Sequence, residues 1–364
     1  MTSTVFSLLA NGARGAWESS LNHLMDVHVG LAQTIQSLRT LQKPEPDFSP
    51  SRMEVNGISC RAVNLLNNSG KSMLSSRVSN GQQSTSGRSE PAVPWWSFTK
   101  TVLAATALSL VRDGRVALDA SILDQPFTLR QLLRHEAGLA DYAELADYHA
   151  AVANGEAAWT VDEMMQRLDG ARLRYSPGAG WRYSNVGYLL IGRLIEQVTD
   201  LSLEEAVSRY TLKPLGLSNV RFARTRADLP DSCLGSTSSY DPGWVYHGLL
   251  IGPVSQAALF LDRLLAGHLL PSGLLQDMQI AKALGGPIPG RPWMTPGYGL
   301  GLMLGSIEGG FTLSGHTGCG PGSVIAVYRT CNGDSSACCA VFCTGTSEGA
   351  VEALVVGQLL QDLR

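Results

Sequence analysis

The sequence is poor in charge. Asp, Glu, Lys and Arg make up 16% of its 364 residues, and the formal net charge is −3. No Lys/Arg-rich run occurs, so the chain offers no electrostatic footprint for a nucleic-acid backbone. Long apolar runs are missing too. The most apolar helical stretch, Val102 to Val111, falls far short of the roughly 20 residues that cross a bilayer. The amino terminus, MTSTVFSLLANGARG, has no basic n-region, and its apolar stretch from Val5 to Ala10 is short for a secretory h-region. Cysteine is sparse and odd in number: seven in all, four of them between Cys331 and Cys343. Free thiols in a reducing compartment explain that better than a disulfide framework. These absences imply a cytoplasmic chain with no membrane segment and no nucleic-acid partner, acting on a small molecule or a short peptide.

Several catalytic signatures are also absent. There is no H-E-x-x-H, which excludes a zincin. Gly297-Tyr298-Gly299-Leu300-Gly301 misses the G-x-G-x-x-G spacing, and no helical pattern follows it. Cys331, Cys338, Cys339 and Cys343 match no zinc spacing. The stretch Cys338 to Cys343 alternates within an apolar strand, so small core residues are the reading. No metal and no cofactor are expected.

What is present is a 44% hydrophobic chain, long enough to bury a substantial core. Apolar residues at helical spacing from about Arg14 to Leu41 predict an opening amphipathic helix, ended by Lys43-Pro44-Glu45-Pro46. Ile58–Leu66 and Lys71–Val78, around Asn67-Asn68-Ser69-Gly70, predict a β-hairpin. The Ser/Gly/Gln-rich Ser79–Glu90 reads as a loop. Ser97–Arg112, almost wholly apolar after Lys100, has the pattern of a helix buried all round.

Further helices are expected at Thr128–His135, Val161–Leu168, Asn185–Val198, Leu203–Thr211, Ala257–Leu265 and Glu348–Leu363. The pairs Gly138-Leu139 and Gly216-Leu217 would close two of them. Antiparallel strands are expected at Gly299–Leu304, Phe311–Ser314, Ser323–Tyr328 and Ala337–Phe342. The economical arrangement is an α/β (α+β) fold: an antiparallel sheet flanked by helices, with an all-helical insertion. Residues 1–114 and 236–364 would form the sandwich and 115–235 the insertion, with the site where the two meet.

Three stretches can carry chemistry. In Ser97-Phe98-Thr99-Lys100, residues three apart share a helix face, so the amine reaches the hydroxyl. A lysine in apolar surroundings loses its charge readily and can take the serine proton. The alternative is chance or capping. In Tyr183-Ser184-Asn185, the phenol can shuttle a proton and the amide can hold a substrate carbonyl. Set against this, Tyr183 is a packing residue and Asn185 a helix cap. In Ser314-Gly315-His316-Thr317-Gly318-Cys319-Gly320-Pro321-Gly322, dense glycine at a strand edge marks close backbone approach and free N–H groups for an oxyanion. Its alternative is a Gly-rich hairpin with an incidental histidine. His135 reads as structural. His247 has two readings, cleft-facing or structural, with the satisfied structural histidine as the default.

In that order, S-x-x-K, Y-x-N and H-T-G, the chain resembles the penicillin-recognising serine hydrolases: class C β-lactamases, D-alanyl-D-alanine carboxypeptidases, D-aminopeptidases and related esterases. The likeness runs from about Pro94 to Tyr328. It takes in Leu132–Leu139, Tyr175-Ser176-Pro177-Gly178 and Tyr298-Gly299-Leu300-Gly301.

The resemblance implies that Ser97 is the acylated nucleophile, Lys100 its base and Tyr183 the proton relay. It implies that Asn185 orients the acyl amide and that His316 and Thr317 line the opposite wall. Backbone N–H groups of Ser97 and Cys319, beside Gly318, would form the oxyanion hole. Many β-lactamases carry Lys where this chain has His316. An unperturbed histidine, with a pKa of about 6.5, is mostly neutral at pH 7. A weak β-lactamase that favours a neutral ester, a short peptide or a D-amino-acid amide is therefore expected. Trp95-Trp96 stands where relatives more often have smaller residues, which implies a narrowed pocket mouth. The reading from another class is a silent homologue that binds peptides or joins an assembly. The retention of Ser97, Lys100 and Tyr183 together speaks against it. Acyl transfer to an acceptor other than water would use the same residues.

Overall fold

A computed structural model describes residues 72–83, 90–229 and 240–362. The helix expected over 14–41 and the first strand of the expected hairpin lie outside them. The second strand of that hairpin is β1 (Met73–Ser79), which turns through Asn80-Gly81 into the two-residue β2 (Gln82–Gln83). The rest of the expected 79–90 loop is described only in part.

Chain order then runs through β3 (Val93–Pro94), a 3-10 turn at Trp96–Phe98 and α1 (Thr99–Arg112). A mainly helical stretch follows: α2 (Leu129–Leu133), α3 (Ala146–Ala153), α4 (Val161–Arg167), α5 (Asn185–Thr199) and α6 (Leu203–Val207). It ends in a π-helical turn, Ser208–Leu212, and the short β4 (Arg221–Ala223). Next come β5 (Leu249–Gly252), α7 (Val254–Leu265), α8 (Ser272–Gln279) and β6 (Lys282–Ala283). The chain closes with β7 (Trp293–Tyr298), β8 (Met303–Ile307), β9 (Thr312–Gly320), β10 (Ser323–Asn332), β11 (Ser335–Thr344) and α9 (Glu348–Asp362).

Eight antiparallel strands form one sheet in the order β2-β1-β11-β10-β9-β8-β7-β6, and β3-β5-β4 form a second, small sheet. Neighbouring residues show that helices cover both faces of the large one. Cys338 Sγ reaches Ala258 O of α7, while the next residue, Cys339, reaches Gln358 of α9. Two covered faces explain why Val324 to Tyr328 are all buried, where a half-exposed strand would alternate.

Every residue of α1 from Thr99 to Leu110 is buried, as its apolar sequence requires. Fully burying a leucine such as Leu103 or Leu108 contributes about 2 kcal/mol. The polar groups in α1 are satisfied: Thr106 and Ser109 donate to carbonyls one turn back, and Thr101 Oγ1 donates to Gly301 O at 2.8 Å.

That last contact explains a difference from the expected strand at Gly299–Leu304. Here β7 has ended and β8 has not begun, and Gly299–Leu302 forms a turn instead. Gly301 has φ +77°, and a Cβ on it would lie 2.3 Å from that of Ala104. Only glycine lets the turn press against α1 in this way. Likewise α2 is closed by His135, at φ +60°, rather than by Gly138. Gly138 is needed for close approach, since its Cβ would strike the Tyr175 carbonyl at 2.1 Å.

Candidate active site

Ser97 lies in the 3-10 turn that leads into α1, and three backbone devices hold the turn. Trp95 N–H donates to Leu250 O at 2.8 Å, tying it to β5. Leu250 N–H donates back to Thr99 Oγ1 at 3.1 Å. Trp96 adopts φ +44°, a strained conformation for a bulky residue, and persists because its indole is over-determined. The indole donates to Ser323 Oγ at 3.0 Å and stands edge-on to Tyr240. Trp95 and Trp96 are 0% and 2% exposed, so they are core residues under the turn and do not narrow a pocket mouth.

On this base Lys100 Nζ lies 3.0 Å from Ser97 Oγ, and the Tyr183 hydroxyl donates to the same oxygen at 3.0 Å. Burial dominates the electrostatics. It lowers Lys100 to about 7 against a partial upward pull from Asp141, so the amine is largely available as a base near neutrality. Burial also pushes the Tyr183 phenol well above its usual range, so it is a donor.

Tyr183 is set by its neighbours. Ser184, not Asn185, caps α5: its Oγ accepts from Gly187 N–H and donates to Ala140 O. His135 lies under the Tyr183 ring, centroids 4.3 Å apart, and its Nδ1 accepts from Ser184 N–H. Asn185 donates through its side chain to both oxygens of Asp141, at 3.0 and 3.2 Å. Burial raises Asp141, opposed chiefly by these hydrogen bonds.

The third stretch is β9. β8 pairs with it only as far as Gly315, so the edge of Thr317–Gly320 on that side is left without a β8 partner. That edge passes over the serine turn: a Cβ on Gly318 would lie 2.8 Å from Ser97 N. His316 lies on the same face as Gly318. Its Nδ1 sits 2.7 Å from Thr317 O, which can only accept, so Nδ1 carries the proton and the bare Nε2 accepts from Tyr298 OH at 3.0 Å. Burial lowers His316 to about 3, with a further push from Lys100. It is neutral throughout the physiological range.

Thr317 faces the other way. Its hydroxyl contacts Glu352 and the Tyr328 hydroxyl beneath α9, in a network completed by Arg291 and the Trp293 indole. Thr317 therefore ties β9 to α9 and does not line a wall beside Ser97. Cys319 projects on the Thr317 face and its side chain is exposed; its relevance to the site is through its backbone.

The structure thus brings Ser97, Lys100, Tyr183, His316 and Gly318 to one place and sends the Thr317 side chain elsewhere. It adds Asp141, which pattern reasoning missed, and gives contacts to His135, read as structural, and to His247, whose cleft-facing reading was not the default. Asp141 holds Asn185, His135 supports Tyr183, and His247 places Nε2 3.3 Å from Lys100 Nζ.

The fold and this serine–lysine–tyrosine cluster define a β-lactamase/transpeptidase-like protein. The chain belongs to the Beta-lactamase family, whose sequence model matches residues 68–353. Among solved structures it is similar to a D-stereospecific amidohydrolase from Streptomyces sp. (25% identity, TM-score 0.62, covering 74% of this chain and 88% of that one). The fold is shared with D-amino acid amidase from Ochrobactrum anthropi SV3 (20% identity, TM-score 0.62, 80% and 93% covered). Among curated proteins, Esterase EstB of Burkholderia gladioli is 30% identical over 157 residues, 35% of this chain and 37% of the relative. A D-aminopeptidase of Gluconobacter oxydans is 29% identical over 157 residues, 41% and 29% covered. The chain therefore spans well under half the length of these curated relatives. No helix among the described residues is long and apolar enough to cross a membrane.

Proposed function

We propose that the protein is a serine hydrolase that cleaves an ester or amide bond through an acyl-enzyme on Ser97. The observation that carries this reading is the convergence of Lys100 Nζ and Tyr183 OH on Ser97 Oγ, each at 3.0 Å. As Oγ bonds to the substrate carbonyl carbon, the serine proton passes to the neutral amine of Lys100, and the carbonyl π electrons move onto oxygen. The N–H groups of Ser97 and Cys319 hold that oxyanion, and Asn185 steadies the acyl group. Collapse expels the leaving group, which takes the Tyr183 proton while the Lys100 ammonium resupplies it. Water then repeats the sequence in reverse to free the acid.

The active form carries a neutral Lys100, so the acidic limb of activity follows that group. With p-nitrophenyl butyrate, kcat/KM is expected to rise about tenfold per pH unit up to about pH 7 and then level off. A rise that continues past about pH 9, toward the 10.5 of an ordinary lysine, would contradict the assignment. No additional inflection from His316 is expected between about pH 5 and 8.

His316 supplies no positive charge, which favours neutral substrates: an ester, a short peptide or a D-amino-acid amide. The names of the esterase, D-aminopeptidase and D-stereospecific amidohydrolase relatives support the same range. A panel of p-nitrophenyl esters, D-amino-acid amides and a chromogenic cephalosporin tests this. The neutral substrates are expected to exceed the anionic cephalosporin in kcat/KM by at least about tenfold, the worth of one charge-assisted contact. His316→Lys should narrow the gap. Equal turnover of the cephalosporin by the wild type would overturn the preference.

A further inference from the structure

We infer that His247 is a positioning residue for the Lys100 base, accepting a hydrogen bond from the amine at Nε2 and leaving the amine's lone pair turned toward Ser97. This rests on the reading of Lys100 as the acceptor of the serine proton.

His247 is 3% exposed, and its Nε2 stands 3.3 Å from a Lys100 that is itself fully buried. A neutral amine has one lone pair. If His247 donated an Nε2 proton, it would occupy that lone pair and the serine proton would have nowhere to go. If the ring proton sits on Nδ1, Nε2 accepts from Lys100 before the transfer, when the amine is neutral, and after it, when it is an ammonium. Ser97 Oγ and His247 Nε2 then take two of the ammonium's three donors, while the Tyr183 and Tyr188 rings lie 5.0 and 5.8 Å from Nζ.

His247 Nδ1 is buried with no hydrogen-bond partner among the described residues, as is Nε2 of His135, so the contact to Lys100 is the ring's one hydrogen bond there. Asp141, His316 and His135 are the titratable neighbours that act with it on Lys100, and the histidines are neutral through burial.

The backbone fixes the ring where the base needs it. Gly248, at φ +88°, turns the chain directly from His247 into β5, and a Cβ there would strike the Phe222 ring at 2.5 Å. Strand β5 is the strand hydrogen-bonded to Trp95 and Thr99. The histidine and the serine turn are therefore referenced to the same few residues.

Two variants and one spectrum test the inference. His247→Gln keeps an acceptor, whereas His247→Leu fills the space without one. With a neutral p-nitrophenyl ester, His247→Leu is expected to lose about 10- to 100-fold in kcat, with KM changed less than about threefold. Its acidic limb should move down by about one pH unit, because the ammonium has lost an acceptor. His247→Gln should stay within about fivefold of wild type. The 15N spectrum of histidine-labelled wild type, assigned by the signal missing from His247→Gln, should show the Nδ1-protonated tautomer. The inference is overturned if the leucine variant overlays wild type, if glutamine loses as much as leucine, or if wild type holds the Nε2-protonated tautomer. Should the leucine variant fail to fold, the glutamine variant and the wild-type spectrum decide. A wild type that turns over no substrate would count against the hydrolase reading, while the tautomer still decides the hydrogen bond.

Discussion

Lys100→Met is expected to slow acylation of Ser97 severely and, at the same time, to make the protein more stable. The kinetic half follows from geometry: Lys100 is the basic group that touches Ser97 Oγ, and losing a general base costs about 10²- to 10⁴-fold. The stability half follows from burial. Folding lowers this amine from 10.5 to about 7, so the unfolded chain binds more protons throughout that window. Wild-type stability should therefore rise as pH climbs from about 7 toward 10, with the cost of the buried amine complete below neutrality. Each unit is worth about 1.4 kcal/mol, so the gain from methionine at pH 7 is on the order of a few kcal/mol and fades toward pH 10. Urea melts of both proteins at neutral and alkaline pH measure it. A methionine variant less stable than wild type at neutral pH would contradict the account.

The second large effect is expected from Gly318→Ala. The added Cβ would lie 2.6 Å from Trp95 O, 2.8 Å from Ser97 N and 2.8 Å from Trp96 Cβ. Two of those are backbone atoms of the serine turn and cannot step aside, so β9 must retreat. The Cys319 N–H then leaves the place proposed for it beside the developing oxyanion, and kcat should fall about 10²- to 10³-fold with KM little changed. Gly357→Ala is the contrast. That glycine is exposed in α9 with nothing within 4 Å of its Cβ, and alanine there should leave kcat unchanged and add about 0.5–1 kcal/mol of stability. Steady-state kinetics and melts on both variants check the pair; equal kcat values would contradict the proposed oxyanion edge.

What could be read from sequence was local. Ser97 and Lys100 share a helix face by spacing alone, and the all-round burial of α1 is written in its composition. The glycines of β9 announced close backbone approach without saying to what. The rest depended on contacts distant in sequence. His247 meets Lys100 across 147 positions, and Asp141 meets Asn185 across 44. Nothing local to His247 separates a ring aimed at an amine from one packed in the core. The orientation of Thr317 was illegible for another reason. Strand β9 is covered on both sides, so hydrophobic alternation could not say which residues face Ser97 and which face α9. The turn at Gly299–Leu302 has strand-like composition and is bent by the approach of Ala104, a residue nearly two hundred positions earlier.

Labelling with a fluorophosphonate, followed by peptide mass spectrometry, probes the shared pocket most directly. One covalent adduct on the peptide that contains Ser97, slowed in Lys100→Met and lost in Ser97→Ala, is the outcome that three distant stretches acting on one oxygen require. An unlabelled protein, or an adduct carried by any other residue, would show that this oxygen is not a nucleophile.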